Sequence, residues 1–391
     1  MSSLKTYKFR LYPTKGQVEK LEWTLARCCE LYNAALQERR EMYKYTGKGT
    51  NYNAQAMQLP EIKEIREEYK DIHSQVLQDV LRRVEKTFKD FFKRVKAGKT
   101  PGYPRFQSRT HYDSFCYPQA GFSIENGRLA LSKIGHVKVK LHRKVIGTIK
   151  TCSIKREGNC WYVCLACEVE AMPRTPYTDE AVGIDLGVSK LATLSTGDVI
   201  ENPKHYRRAE KKLANAQQAL SRKKRGSNRR KKAVKVVARL HRKVRNQRND
   251  YLHQWSRRLV NTYETIVFED IAPANLSKRA KPKQDAETGQ YLPNGASAKS
   301  GRNKSILDAG WSQFITFCQY KAEEAGTVQV VKVDPRYTSQ VCSGCGTVRK
   351  KTLSERWHSC ECGCELDRDH NAAINIKALW LGRSHQEAQA S

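Results

Sequence analysis

The spacing of apolar residues changes period several times along the chain, and each change predicts a new element. Residues 7–13 alternate as a short strand. Over residues 15–37, Val18, Leu21, Leu25, Cys28, Leu31, Tyr32 and Leu36 recur at spacings of three and four, which predicts an amphipathic helix. A second such stripe, Val76, Leu77, Val80, Leu81, Val84, Phe88, Phe91 and Phe92, predicts a helix over 74–95. Pro and Gly between 98 and 104 end this helical region. From about Asp113 the pattern becomes short strands, at 137–141, 147–154 and 161–169, and predicts a barrel-like β domain that the N-terminal strand could join.

A further domain opens near Ala181. Residues 182–188 read as a buried strand bearing one carboxylate, Asp185, and 190–199 as a returning strand through the turn Thr196-Gly197-Asp198. A long helical hairpin is expected over 204–263, interrupted at 226–228, and 265–269 is an apolar strand ending in Glu269. Residues 277–304 are polar and aperiodic, so they read as a flexible loop. A helix at about 310–325, a strand at 328–333, a cysteine-rich segment and a helix at about 371–381 complete the order, and 382–391 read as a disordered tail.

Charge narrows the partner class. The 72 Lys and Arg outnumber 40 Asp and Glu, leaving +32, which calls for a polyanion. No apolar run approaches the ~20 residues that span a bilayer, so nucleic acid fits better than a membrane. Thirteen cysteines, several clustered, fit a reducing compartment, and a cytoplasmic, nucleoid-associated location is expected.

The cysteine cluster is the first candidate site. Cys342-Ser-Gly-Cys345 and Cys360-Glu-Cys362, each followed by Gly, have the paired-thiolate layout of a zinc ribbon, with Cys364 a competing fourth ligand. Four thiolates leave no open position for water, so such a zinc ion is structural. Chemistry then falls to carboxylates. Asp185, Glu269 and Asp369 sit on a strand, a strand end and a helix start, and the element order is that of an RNase H-like fold, in which these positions converge. Convergent carboxylates can hold two Mg²⁺ ions for in-line hydrolysis of a phosphodiester. Asp367 competes with Asp369 for the third position, Asp369 could instead cap the helix at Asn371, and Asp270 should face away from Glu269.

These residues carry a resemblance over nearly the whole chain. Arg10-Leu-Tyr-Pro13, Arg27…Tyr32-Asn33, Pro101-Gly-Tyr-Pro-Arg105-Phe106, Gly183-Ile-Asp185-Leu-Gly187, Phe268-Glu269-Asp270, Asp308-Ala-Gly-Trp311, Thr338-Ser-Gln-Val-Cys342-Ser-Gly-Cys345-Gly346 and Asp367-Arg-Asp369-His-Asn371-Ala-Ala373 resemble the transposon-encoded TnpB family, RNA-guided DNA endonucleases related to type V CRISPR effectors. The resemblance implies a multidomain α+β protein. Its parts would be a wedge domain whose first strand is 1–13, a helical recognition domain at 14–100, a β-barrel wedge at 101–178, and a RuvC nuclease domain at 179–336 with a lid at about 277–304. A zinc-ribbon insert at 337–366 and a last RuvC segment at 367–381 would follow. It also implies Asp185, Glu269 and Asp369 as the catalytic, Mg²⁺-binding triad, a guide RNA from the transposon end, a double-stranded DNA target beside a short motif, and a monomer in the ribonucleoprotein. Guided pairing accounts for a large basic surface that grips backbones.

Nucleic-acid contacts are expected along the basic hairpin, foremost at Arg222, Lys223, Lys224, Arg225, Arg229 and Arg230, where acids are nearly absent. Tyr52, Gln75 and Gln78 are candidates for reading groove edges. Arg336 either positions the scissile phosphate or pairs with Asp334.

Overall fold

The computed structural model describes residues 2–170, 175–352 and 355–382, so the tail expected at 382–391 lies outside the described residues from 383 onward. Two units, Met1–Glu170 and Ala171–Ser391, each enclose a hydrophobic core.

In the first unit, β1 (Ser2–Tyr12) leads into α1 (Lys15–Thr46), α2 (Tyr52–Met57), α3 (Leu59–Ile65), a 3-10 turn (Glu67–Asp71) and α4 (Ser74–Lys96). Six strands follow: β2 (Ser114–Tyr117), β3 (Phe122–Glu125), β4 (Arg128–Leu131), β5 (Gly135–Lys140), β6 (Thr148–Glu157) and β7 (Cys160–Glu170). They form one antiparallel sheet in the order β2-β6-β7-β1-β5-β4-β3. The N-terminal strand is therefore central, paired with β7 from Ser2↔Glu170 to Leu11↔Trp161 and with β5 at Arg10–Tyr12. Only Tyr7, Phe9 and Leu11 alternate into the core, which is why the apolar pattern exposed just the second half of β1. Helix α1 runs past the expected end at 37. Thr14 and Gln17 form a capping box at its start, and Gly47 at φ 67° ends it. Arg39, nearly buried, ties three helices together by donating to Gln55 at 2.8 Å and to Glu85 at 2.7 Å.

The second unit opens with β8 (Thr178–Leu186), β9 (Lys190–Leu194) and β10 (Val199–Glu201), followed by α5 (His205–Ser221), α6 (Asn228–Thr262) and β11 (Tyr263–Glu269). Next come α7 (Pro273–Leu276), the strand pair β12 (Lys283–Gln284) and β13 (Tyr291–Leu292), α8 (Ala296–Ala309), α9 (Trp311–Ala325) and β14 (Gln329–Val333). A short hairpin, β15 (Trp357–Ser359) and β16 (Glu365–Asp367), and α10 (Arg368–Trp380) complete it. The main sheet has the order β10-β9-β8-β11-β14, with β8, β11 and β14 parallel and the hairpin β8-β9-β10 antiparallel.

Two expectations are corrected here. Residues 277–304 are not a structureless loop, because they contain β12, β13 and most of α8. Helix α8 lacks an amphipathic stripe and buries only Ile306, Asp308 and Ala309; it is fastened instead by polar contacts, Arg207 to the Gly301 carbonyl at 2.8 Å and Lys304 to Glu210 at 2.8 Å. Periodicity cannot see a helix of that kind. The last helix also begins earlier than expected, at Arg368, and its N-cap is Asp367, whose side chain accepts from the Asp369 amide.

Gly183 sets how closely α10 approaches the sheet. A Cβ at this position would stand 2.1 Å from the Ala373 carbonyl oxygen and 2.6 Å from the Lys377 nitrogen. Both are backbone atoms and cannot rotate away. Gly183→Ala is thus expected to displace α10 and to destabilise the protein by at least ~2 kcal/mol, read as a lower melting temperature of the purified chain.

Candidate active site and metal centre

The parallel ladder brings the first two acids together. Phe268 pairs with Ile184, so Glu269 at the end of β11 lies beside Asp185 near the end of β8. Helix α10, docked on Gly183, carries Asp369 in its first turn toward the same edge. Asp185 is half-buried as a residue but its carboxyl is deeply enclosed, and burial, then the charges of Glu269 and Asp369, push its pKa well above the usual range. Burial also raises Glu269, against a hydrogen bond donated by the Thr338 hydroxyl. Such a cluster repels itself when ionised, and a divalent cation is the natural counter-charge.

Asp367 has other work. Burial would raise it, but Lys190 at 3.0 Å and the amides of Asp369 and His370 outweigh that and hold it below the usual range. Asp270 points to Lys332, 3.1 Å away, on the opposite side of the strand from Glu269.

Several residues hold this edge together, of which Asn371, Trp311 and Asp308 stood in the sequence motifs without a role and Asn375 lies just beyond the last motif. Asn371, fully buried, donates to the Val341 carbonyl at 2.7 Å and accepts from the Ser343 amide at 2.9 Å. Asn375 donates to the Thr338 and Val341 carbonyls, each at 2.8 Å. Trp311 donates to the Gly187 carbonyl at 3.0 Å, fixing the chain just after Asp185. Asp308 accepts from the amides of Tyr206 and Arg207 and from Arg248, and so caps α5, which has no side-chain cap of its own. The signal available in sequence was polar residues at i and i+4 inside an otherwise apolar helix, which must find partners if buried.

In the cysteine-rich segment the sulfurs of Cys342, Cys345, Cys360 and Cys362 all lie within 4.8 Å of one another. Cys342 and Cys362 are 3.6 Å apart and Cys345 and Cys360 3.5 Å, close to the ~3.8 Å edge of a tetrahedron with Zn–S bonds of about 2.3 Å. Gly346 and Gly363, the glycines after each pair, have φ of 77° and 84° and each closes a turn, Gly346 donating to the Cys342 carbonyl four residues back and Gly363 to the Cys360 carbonyl three residues back. The hydroxyl and amide of Thr347 hold the Cys345 thiol down to about 6, favouring the thiolate that a metal binds. Cys364 lies instead with His358 beside Cys342, its sulfur 3.8 Å from the Ser343 hydroxyl. The four-cysteine group suits zinc.

The expected nucleic-acid contacts divide. Arg222, Lys223, Lys224, Arg225 and Arg229 are exposed at the turn between α5 and α6, whereas Arg230 folds back to the Leu220 and Lys223 carbonyls. Tyr52 is partly buried with Arg82 5.2 Å over its ring, Gln75 accepts from the Ala120 amide at 3.0 Å, and Gln78 is half-buried on α4. Arg336 is exposed and lies 3.6 Å from Asp334, the ion pair that was one of its two alternatives.

Two outcomes test this geometry. Cys362→Ser is expected to lose zinc from the purified protein while Cys364→Ser keeps it, as measured by elemental analysis. Because folding raises the Asp185 pKa, its stabilising contribution is complete at pH below the ordinary carboxylate range and is lost as pH rises through the raised value. In Mg²⁺-free buffer Asp185→Asn should therefore melt higher than wild type at neutral pH, with the gap closing in acid.

Comparison with known proteins places this architecture. The OrfB_IS605 profile, described as a probable transposase, matches residues 164–280; a Cas12f1-like TNB domain profile matches 311–376; and a helix-turn-helix profile matches 1–48, where this chain has β1 and the single helix α1. A Streptomyces pristinaespiralis protein, named provisionally as an RNA-guided DNA endonuclease, is 36% identical over 390 residues, covering 97% of this chain and 90% of its own. InsQ of Escherichia coli K12, named in the same way, is 36% identical over 383 residues, covering 97% and 92%. Among solved structures, the Cas12f1 chain of a complex with sgRNA and target DNA shares the fold at a TM-score of 0.56 and 14% identity, over 96% of this chain and 99% of that one. The chain belongs to the transposon-encoded OrfB/TnpB family.

Proposed function

We propose that this protein is an RNA-guided DNA endonuclease of transposon origin that hydrolyses phosphodiester bonds at Asp185, Glu269 and Asp369. The observation that carries the reading is the carboxyl of Asp185, whose pKa is pushed up by burial and by the nearby charges of Glu269 and Asp369, in a chain similar over nearly its full length to proteins named for this activity. The strand order β10-β9-β8-β11-β14, antiparallel then parallel, supports an RNase H-like, RuvC-type nuclease domain. Asp185, Glu269 and Asp369 would hold divalent ions, Mg²⁺ in this reading, which would supply water activation and charge stabilisation at the leaving 3′ oxygen. The protein's own part is to bring three carboxylates to one sheet edge and commit Asp367 to Lys190 and the helix cap.

Guide RNA and double-stranded target DNA are the partners. The exposed cations of Arg222–Arg225 and Arg229 meet RNA or heteroduplex backbones, and the α1–α4 layer with the seven-stranded sheet acts as recognition and wedge domains in a single-copy ribonucleoprotein. Zinc at Cys342, Cys345, Cys360 and Cys362 braces the target-binding insert. Among the described residues no helix is long and apolar enough to cross a membrane.

The label of the OrfB_IS605 profile favours a second reading, strand transfer by a transposase. One experiment separates them: sequencing of co-purified RNA, then incubation of a matched plasmid with Mg²⁺ and wild type or Asp185→Ala. Linear product that needs the guide and Mg²⁺, reduced at least ~10³-fold in the variant, is expected. Guide-independent cutting, equal cutting by the variant, or joined donor–target ends would reject the reading.

A further inference from the structure

The apolar stripe of α4 outruns the core it serves. Val76, Leu77, Val80, Leu81 and Val84 are buried, but the same face continues through Phe88, Phe91, Phe92 and Val95, and Phe92 and Val95 are 54% and 46% exposed. The segment after the helix adds to this surface. Tyr103, 47% exposed, meets Phe91 edge-on at 5.3 Å and Phe88 at 6.2 Å, while Phe106 is 49% exposed. Between Tyr103 and Phe106 lies the guanidinium of Arg40 from α1, 5.5 and 5.2 Å from the two rings. The segment is pinned: Pro104 is buried, and the Asn33 amide exchanges two 2.8 Å hydrogen bonds with the backbone of Gln107. The rings are thus displayed on a fixed frame.

Exposed large apolar groups gathered in one place mark a contact surface. The surrounding charge selects the partner, since residues 86–106 carry seven Lys or Arg and one acid, Asp90. Two copies of this face would repel each other. Planar rings interleaved with cations match unpaired bases on a phosphate backbone, because every base has a π-face and stacking tolerates any sequence. A permanently exposed patch also favours a resident partner over a transient one. We propose that Phe92, Tyr103 and Phe106, with Arg40, form a stacking platform for unpaired nucleotides of the RNA that the protein carries. This deepens the guide-RNA reading above and rests on it.

The test uses the full chain with its co-purified RNA. After ultraviolet irradiation and digestion, nucleotide adducts are expected on Phe92, Tyr103 or Phe106 by mass spectrometry. Phe92→Ala/Tyr103→Ala/Phe106→Ala should keep the wild-type melting temperature yet release RNA about tenfold faster under heparin challenge, whereas Tyr103→Trp retains it. The all-Leu replacement of the three, which keeps apolar area without π-faces, should behave like the Ala variant. Adduct-free RNA with unchanged release overturns the platform alone, and so does wild-type behaviour of the Leu variant. Equally damaging would be a wild-type dimer, seen by light scattering, that the Ala variant dissociates without changing RNA release. A chain that purifies without RNA rejects both this inference and the guide-RNA reading.

Discussion

Mutual repulsion among three carboxylates is the constraint around which the second unit is built. Asp185, Glu269 and Asp369 come from two strands and a helix far apart in the chain, and burial raises the cost of their charge. Left to electrostatics, they would separate. The parallel register of β8 and β11, the close seat of α10 on Gly183, and the Trp311 bond to Gly187 hold them in place. Stability is thereby exchanged for a concentrated negative charge at one sheet edge.

The same hydrogen bonds join the cysteine-rich segment to the acids. Thr338 touches Glu269 with its hydroxyl and Asn375 with its carbonyl, while Asn371 grips Val341 and Ser343 on either side of Cys342. Two buried asparagines one turn apart thus bind the base of the ribbon to the helix that carries Asp369. Displacement at Cys342 would have to break bonds to α10, the helix that carries Asp369. Buried polar networks of this kind are costly when half-satisfied, which makes the arrangement close to all-or-none.

Much of the architecture was legible in the chain because it rests on periodicity. The stripes of α1 and α4, the strand bearing Asp185, the strand ending in Glu269 and the basic hairpin all follow from apolar spacing and charge. Helix α8 did not, since polar anchors and not an apolar face hold it, and the first half of β1 did not, since β7 supplies its order through backbone pairing. Arg230 looked like a free cation in sequence, yet it closes the turn between α5 and α6.

What the sequence determined by itself was the inventory: which carboxylates interrupt apolar strands, which cysteines come in Gly-terminated pairs, and how much positive charge must be neutralised. These are local properties, fixed by residue type and spacing. Tertiary structure decided the choices between near neighbours. It gave Asp367 to Lys190 and a helix cap and left Asp369 in the first turn of α10, and it gathered Cys362, not Cys364, with the other three sulfurs. Neighbours two residues apart differ little in composition or propensity. They differ in which way the backbone turns them, and only the packed chain sets that direction.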